Sequence, residues 1–231
     1  MPELSERLKA AASLVRQGSS AADIGTDHAY LPVYLIKNHI CKSVIACDLR
    51  SGPLFNALET VRAEGLENLI SLRLSDGLCE LKENEAEDII ICGMGGTLIA
   101  RILSQADWIC NEKYNFIFQP QSHADDLRRF LFGSGFSVNE EITLTDDGRD
   151  YLIFSSVFTG DRSLYNDEVS IQFGSLLYRN DEVSARIVNR TLKYLEVRAE
   201  AEMNYGNPEK SDKLRETIRK AEAIINGSKN Q

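Results

Sequence analysis

The 231-residue sequence has no apolar run near the roughly 18 residues of a membrane span, so a spanning helix is excluded. It has no CxxC pair and no Cys/His ligand spacing. Its five cysteines, Cys41, Cys47, Cys79, Cys92 and Cys110, stand singly. An odd, unpaired set argues against a disulfide framework, and buried free thiols are expected, with no metal site and no cysteine nucleophile. Basic charge is also scarce: 26 Lys+Arg face 35 Asp+Glu, a formal net charge of −9. The shortfall is local, 14 against 23 in residues 1–160 and 12 against 12 in residues 161–231. An acidic chain is not the usual picture of a nucleic-acid binder. The opening MPELSERLKAAASLV is charged and amphipathic without the apolar core of a secretory signal, so a cytoplasmic address is expected.

What is present is alternation. β-prone runs at 20–25, 43–49, 69–75, 87–93 and 114–120 are separated by helix-like stretches at 29–40, 52–65, 96–106 and 123–133. That order predicts βαβ units and a parallel sheet covered on both faces. Two further strands, 136–145 and 149–158, follow without a helix between them, and Asp147-Gly148 between them signals a hairpin. An α/β sheet of five parallel strands ending in an antiparallel hairpin is the element order of Rossmann-like methyltransferases. Gly160-Asp161 marks a boundary, giving a first domain at 1–160 and a second at 161–231. In the second, Val188, Leu192, Leu195 and Ala199, then Leu214, Ile218, Ala221 and Ile225, predict an antiparallel helical pair with a coiled-coil-like seam, turning at Gly206-Asn207-Pro208.

The loop after the first strand, DIGTDHAYLP, lacks two of the three glycines of a dinucleotide fingerprint. Asp23, Thr26, Asp27 and His28 surround the one that remains, Gly25. Pyrophosphate needs close backbone approach and positive potential, so two carboxylates oppose it. S-adenosylmethionine carries an ammonium and a sulfonium and no phosphate, and the same loop suits it. Asp48, closing the second strand and followed by Leu49, fits a ribose diol. Asp76-Gly77, after the third, fits the adenine amino group. After the fourth stands Gly93-Met94-Gly95-Gly96, in place of the Asn/Asp-Pro-Pro-aromatic loop of many amino-group methyltransferases. Such a glycine run lets a flat substrate lie against the backbone. A tight turn without a ligand would look the same.

Together, DIGTDHAYLP, GPLFNA (52–57), RLSDGL (73–78), CGMGGTLI (92–99) and FQPQSHADDLRRFL (118–131) resemble the TrmK family, the bacterial tRNA (adenine(22)-N1)-methyltransferases. The likeness begins at Arg7-Leu8 and runs to about Phe158. It implies a class I S-adenosylmethionine-dependent fold with a coiled-coil-like C-terminal domain, and methyl transfer to N1 of one adenine in the tRNA D-arm. It also implies that Asp23, Gly25, Thr26, Asp27 and His28 surround the methionine moiety, Asp48 and Leu49 the ribose, Asp76 and Gly77 the adenine, and Gly93 to Gly96 the methyl-transfer centre. Asp27 with Gly93, Met94 and Gly95 is the expected catalytic group. Arg7, Tyr30, Gly96, Arg186 and Arg190 are the expected tRNA contacts, and a monomer or weak dimer is expected. Two positions depart from the family: Cys92 replaces an alanine, and Arg149-Asp150-Tyr151-Leu152 ends in leucine where a glutamate is usual. A small-molecule methyltransferase, which the acidic charge suits, and a non-catalytic RNA-binding module are the rival readings.

Overall fold

Seven strands, β1 (Ser19–Ile24), β2 (Cys41–Asp48), β3 (Ile70–Leu74), β4 (Asp88–Met94), β5 (Asn115–Pro120), β6 (Phe136–Asp146) and β7 (Arg149–Phe158), form one sheet in the computed structural model, which describes residues 4–228. Their order is β3-β2-β1-β4-β5-β7-β6. The first five run parallel, and β7 enters antiparallel between β5 and β6. β1 and β5 are buried along their whole length, which is why they read as near-continuous small or apolar runs. All seven expected strands are present, with ends displaced by no more than about two residues. Asp147 and Gly148 both take positive φ, +47° and +71°, as the primed two-residue hairpin turn requires.

Helices α1 (Glu6–Ser13), α2 (Tyr30–Lys37), α3 (Ser51–Ala63), α4 (Gly96–Leu103) and α5 (Ala124–Ser134) accompany the sheet. The expected starts of α2 and α5, at 29 and 123, are one residue early. Ala29 and His123 are left-handed N-caps, at φ +55° and +51°, a conformation that costs a non-glycine residue about 1 kcal/mol. α1 was not anticipated. It packs on the β6–β7 hairpin, and the Arg7 N–H in its first turn donates to Asp146 Oδ2. Phe116, Phe118, Phe136 and Phe154 fill the core as mutually packed rings. Trp108 packs edge-on against Tyr114, in line with a structural role.

The chain divides into two compact units between Arg162 and Ser163. The second contains α6 (Glu168–Phe173), a 3₁₀ turn (Gly174–Tyr178), α7 (Glu182–Tyr205) and α8 (Pro208–Ser228). Asp181 caps α7, its side chain accepting from Ser184 N. The seam between α7 and α8 buries Val188, Leu195, Ala199, Ile218 and Ala221, while Leu192, Leu214 and Ile225 are half-buried. Ser211 Oγ donates to the Ala199 carbonyl at 2.8 Å across it. No helix of the described residues is long and apolar enough to cross a membrane.

Candidate active site

The sheet reverses its winding between β1 and β4, and the loops after these two strands bracket the crevice. Gly25 turns the chain at φ +83°, and the N–H groups of Gly25 and Thr26 both donate to the Cys47 carbonyl at 2.8 Å. The first loop is thereby tied to β2. Asp23 is buried just before it. Burial pushes its carboxyl up to about 6, opposed by the adjacent Thr26 hydroxyl and reinforced by the Asp48 charge. The Thr26 hydroxyl acts on that charge from nearby, yet it is buried and makes no hydrogen bond of good geometry among the described residues. Asp27 is exposed, 3.6 Å from His28 Nε2. His28 lies in the loop rather than in α2, and its ring stacks on Tyr30 at 5.0 Å with planes 9° apart.

Asp48 ends β2, and its Oδ1 accepts from Arg50 N at 2.7 Å. Leu49 beside it is 62% exposed, a wide apolar surface at a strand end. Asp76 is exposed on the next loop, which is framed from within. Ser75 N donates to the Asp48 carbonyl, and Ser75 Oγ donates to that of Gly77. Arg73 forks onto both oxygens of Glu85 and also reaches the Glu80 carbonyl. Sequence reasoning passed over Arg73 and Glu85; a charged residue inside a strand facing a carboxylate 12 positions on was the available signal. Gly77 has φ +59° and packs against Ile102, so its identity has a structural cause as well.

The glycine run after β4 divides by role. Gly93, at φ +78°, donates its N–H to Gln119 Oε1 at 3.1 Å. Met94 accepts from Gln121 N, and Gly96 N donates to the Ser122 carbonyl at 2.7 Å. A Cβ on Gly96 would collide with the His123 carbonyl, and Gly96 is buried. Close passage of two backbones therefore accounts for that glycine, whereas Gly93 and Gly95 keep accessible surface at the crevice. Arg7 reaches the same edge from α1: its Nη1 donates to Gln119 Oε1 at 3.1 Å, and its guanidinium lies 5.8 Å from the Tyr151 ring centre. Gln119, fully buried on β5, was not singled out from the sequence. Of the departures, Leu152 is buried and Asp150 accepts from Thr145 Oγ1 across the hairpin.

The residues fit S-adenosylmethionine. A buried carboxylate held above its usual range gains from a cationic ligand. Asp76, Asp48 and Asp23 succeed one another along β3, β2 and β1, spreading three acceptors over the length of an extended molecule. Arg186 and Arg190 lie on α7 in the other unit, Arg186 within 3.9 Å of Glu182. An open groove of about 740 Å³ there, lined by Glu196, Glu200, Asp212, Arg215 and Arg219, mixes both signs of charge, and the chemistry points to the strand ends instead. The expectation of buried thiols holds for Cys41 and Cys47; Cys79 and Cys110 are exposed, on the loop after β3 and after the 3₁₀ turn that follows α4.

A family model described as a methyltransferase domain matches residues 4–154. The tRNA (adenine(22)-N(1))-methyltransferase of Bacillus subtilis (strain 168) is 38% identical over 175 residues, 76% of this chain and 73% of that protein. The crystal structure of the B. subtilis m1A22 tRNA methyltransferase TrmK superposes with a TM-score of 0.86 at 30% identity, covering 97% of this chain and all of the other. A Streptococcus pneumoniae protein solved in complex with S-adenosyl-L-methionine gives 0.81 at 32% identity, over 96% of this chain and 100% of its own.

Proposed function

The chain belongs to the family of tRNA (adenine(22)-N1)-methyltransferases, and from that premise we propose how its own residues serve the reaction. It is an S-adenosylmethionine-dependent enzyme that methylates N1 of adenine 22 in tRNA. Family membership decides against a small-molecule acceptor and against a non-catalytic module. Bound S-adenosylmethionine supplies a methyl group already activated by its sulfonium. What remains for the protein is alignment, desolvation and the accommodation of charge.

Asp23, Thr26 and the Gly25 turn hold the amino-acid end of the cofactor. Asp48 accepts from the ribose hydroxyls, with Leu49 covering them, and Asp76 with Gly77 takes the adenine. Gly93, Met94 and Gly95 line the methyl-transfer centre. N1 carries an in-plane lone pair and becomes cationic on methylation, so a carboxylate nearby lowers the barrier. That role falls in this reading to Asp27, which is exposed beside His28. N1 also lies on the pairing edge, so the base must leave its stack at a cost of about a few kcal/mol. The flat His28–Tyr30 pair offers a surface on which an extruded adenine can stack. The D-arm is the docking target. The first unit serves as the catalytic domain, and α7 presents Arg186 and Arg190 to phosphates. A monomer or weak dimer is the proposed state.

One observation carries this reading: Asp23, a buried carboxylate without an ion-pair partner among the described residues, stands in line with Asp48 and Asp76 beside the glycine run. The test is to incubate the protein with S-adenosylmethionine and an unmodified tRNA transcript, then map methylated bases. Methylation of N1 at adenine 22 is expected, with Asp48→Ala losing cofactor affinity in calorimetry. Methylation elsewhere, or affinity indifferent to Asp48→Ala, would overturn it.

A further inference from the structure

The amino-acid end of S-adenosylmethionine carries a carboxylate as well as an ammonium, and the first loop is a poor host for it. Asp23 and Asp27 repel it. The two backbone donors that such a loop would offer, Gly25 N–H and Thr26 N–H, are both spent on the Cys47 carbonyl. Donors must come from elsewhere on the same edge. One β4 strand-width away, Arg7 is half-buried, with Nη1 on Gln119 Oε1 and with Nε and Nη2 free of hydrogen bonds among the described residues. Gln119 Oε1 accepts from Gly93 N–H as well. Both neighbours are donors, which fixes the amide with its oxygen toward them and its NH₂ away. That NH₂ is buried and has no acceptor among the described residues. Buried amides are rarely left so, and an arriving oxygen would complete this one.

Resting on the site reading above, we propose that Arg7, positioned by Gln119, forms an anion site that takes the carboxylate of the cofactor. Arg7 thereby moves from the tRNA contacts to the cofactor contacts. A guanidinium suits this place for a second reason: a cation belongs on the carboxylate side of the crevice and not against a base that becomes positive. The other source of the same chemistry is a backbone phosphate of the extruded nucleotide.

Calorimetry on the full chain separates these. Wild type is titrated with S-adenosylmethionine and with its decarboxylated analogue, and the titrations are repeated on Arg7→Ala and Gln119→Glu. Wild type is expected to prefer the carboxylated ligand by about 10- to 100-fold, the worth of a charge-assisted pair. Arg7→Ala should weaken S-adenosylmethionine by a similar factor while changing the analogue less than about threefold. Gln119→Glu, nearly the same shape, should set a carboxylate against a carboxylate and penalise only the carboxylated ligand. Equal wild-type affinity for the two ligands overturns the proposal without reference to any variant. Unchanged cofactor affinity in Arg7→Ala, with weaker tRNA binding and a shallower salt dependence, assigns the site to phosphate and also overturns it. If wild type binds neither ligand, the site reading itself fails, which is a different result.

Discussion

The terminal methyl of Met94 occupies the space that a Cβ on Gly25 would claim, so the loops after β1 and β4 touch across the switch point of the sheet. This contact separates two glycines that look alike in sequence. At Gly25 an added methyl meets the far end of a flexible side chain, and the lasting penalty is the φ of +83°. Gly25→Ala should cost about 1 kcal/mol and push Met94 into the crevice, weakening S-adenosylmethionine binding. At Gly96 the added methyl meets the His123 carbonyl, which cannot rotate aside. Gly96→Ala should therefore cost about 3 kcal/mol or more, as overpacking against backbone does. Urea melts of both variants give the comparison, and a Gly96→Ala protein as stable as wild type would contradict the packing.

Asp23 links stability to pH. Burial, with the Asp48 charge in support, holds its carboxyl at about 6, above the 3.8 of a free side chain. The folded protein therefore keeps a proton that the unfolded chain has released, and stability falls as pH rises from about 4 to about 6. Above that window the charged carboxylate costs up to about 3 kcal/mol. Asp23→Asn should raise the melting temperature of the ligand-free protein at pH 7.5 by several degrees and change it little at pH 4. The same variant should lose most of its affinity for S-adenosylmethionine, and wild-type affinity should rise as pH passes through about 6. Melting curves at the two pH values test the first part and calorimetry the second. A destabilised Asp23→Asn at pH 7.5 would show the carboxylate to be satisfied within the protein.

The strands were legible because β1, β4 and β5 are buried on both faces, so their residues have little freedom to be anything but small or apolar. The strand-end aspartates were legible for the opposite reason: charge at the end of an apolar run has no packing role to explain it. α1 was not, because its partner is the β6–β7 hairpin, more than 120 residues away, and the Arg7 N–H in its first turn is held by Asp146 rather than by a local cap. Gln119 was hidden in a strand, where one polar residue among apolar ones reads as noise until its two donors are seen. The packing cause of Gly96 was not legible either, since a loop that crosses it from Ser122 to His123 leaves no mark in the local sequence.

Thiol reactivity should sort the five cysteines by burial. Burial raises Cys41 to about 11 and Cys47 to about 12, and it drives the Cys92 thiol higher as well. Cys79 and Cys110 are exposed. Iodoacetamide at pH 8 should alkylate those two at least tenfold faster than the other three, since the thiolate is the reacting form. Peptide mass spectrometry over a time course gives the five rates. Rapid labelling of Cys92 would mean that the end of β4 opens in solution.

The helical pair gives the last prediction, because its charge differs from that of the catalytic unit. The first unit carries the excess of acid, yet phosphate must be met somewhere, and α7 offers exposed Arg190 four residues beyond Arg186. Arg186 lies near Glu182, an exposed pair worth little, while Arg190 makes no ion pair among the described residues. Arg198 leans over the Tyr194 ring at 5.5 Å and is partly committed. Arg190 is thus the most available cation of the three. Arg190→Ala should weaken tRNA binding and reduce the slope of log affinity against log salt by about 0.7 to 0.9, the value for one released counterion. Arg186→Ala should do less, and neither should alter S-adenosylmethionine affinity. Fluorescence anisotropy with labelled tRNA across a salt series measures both quantities. If Arg190→Ala leaves the slope unchanged, α7 does not contact the phosphates through this residue, and its charged face serves only to keep the helical pair solvated.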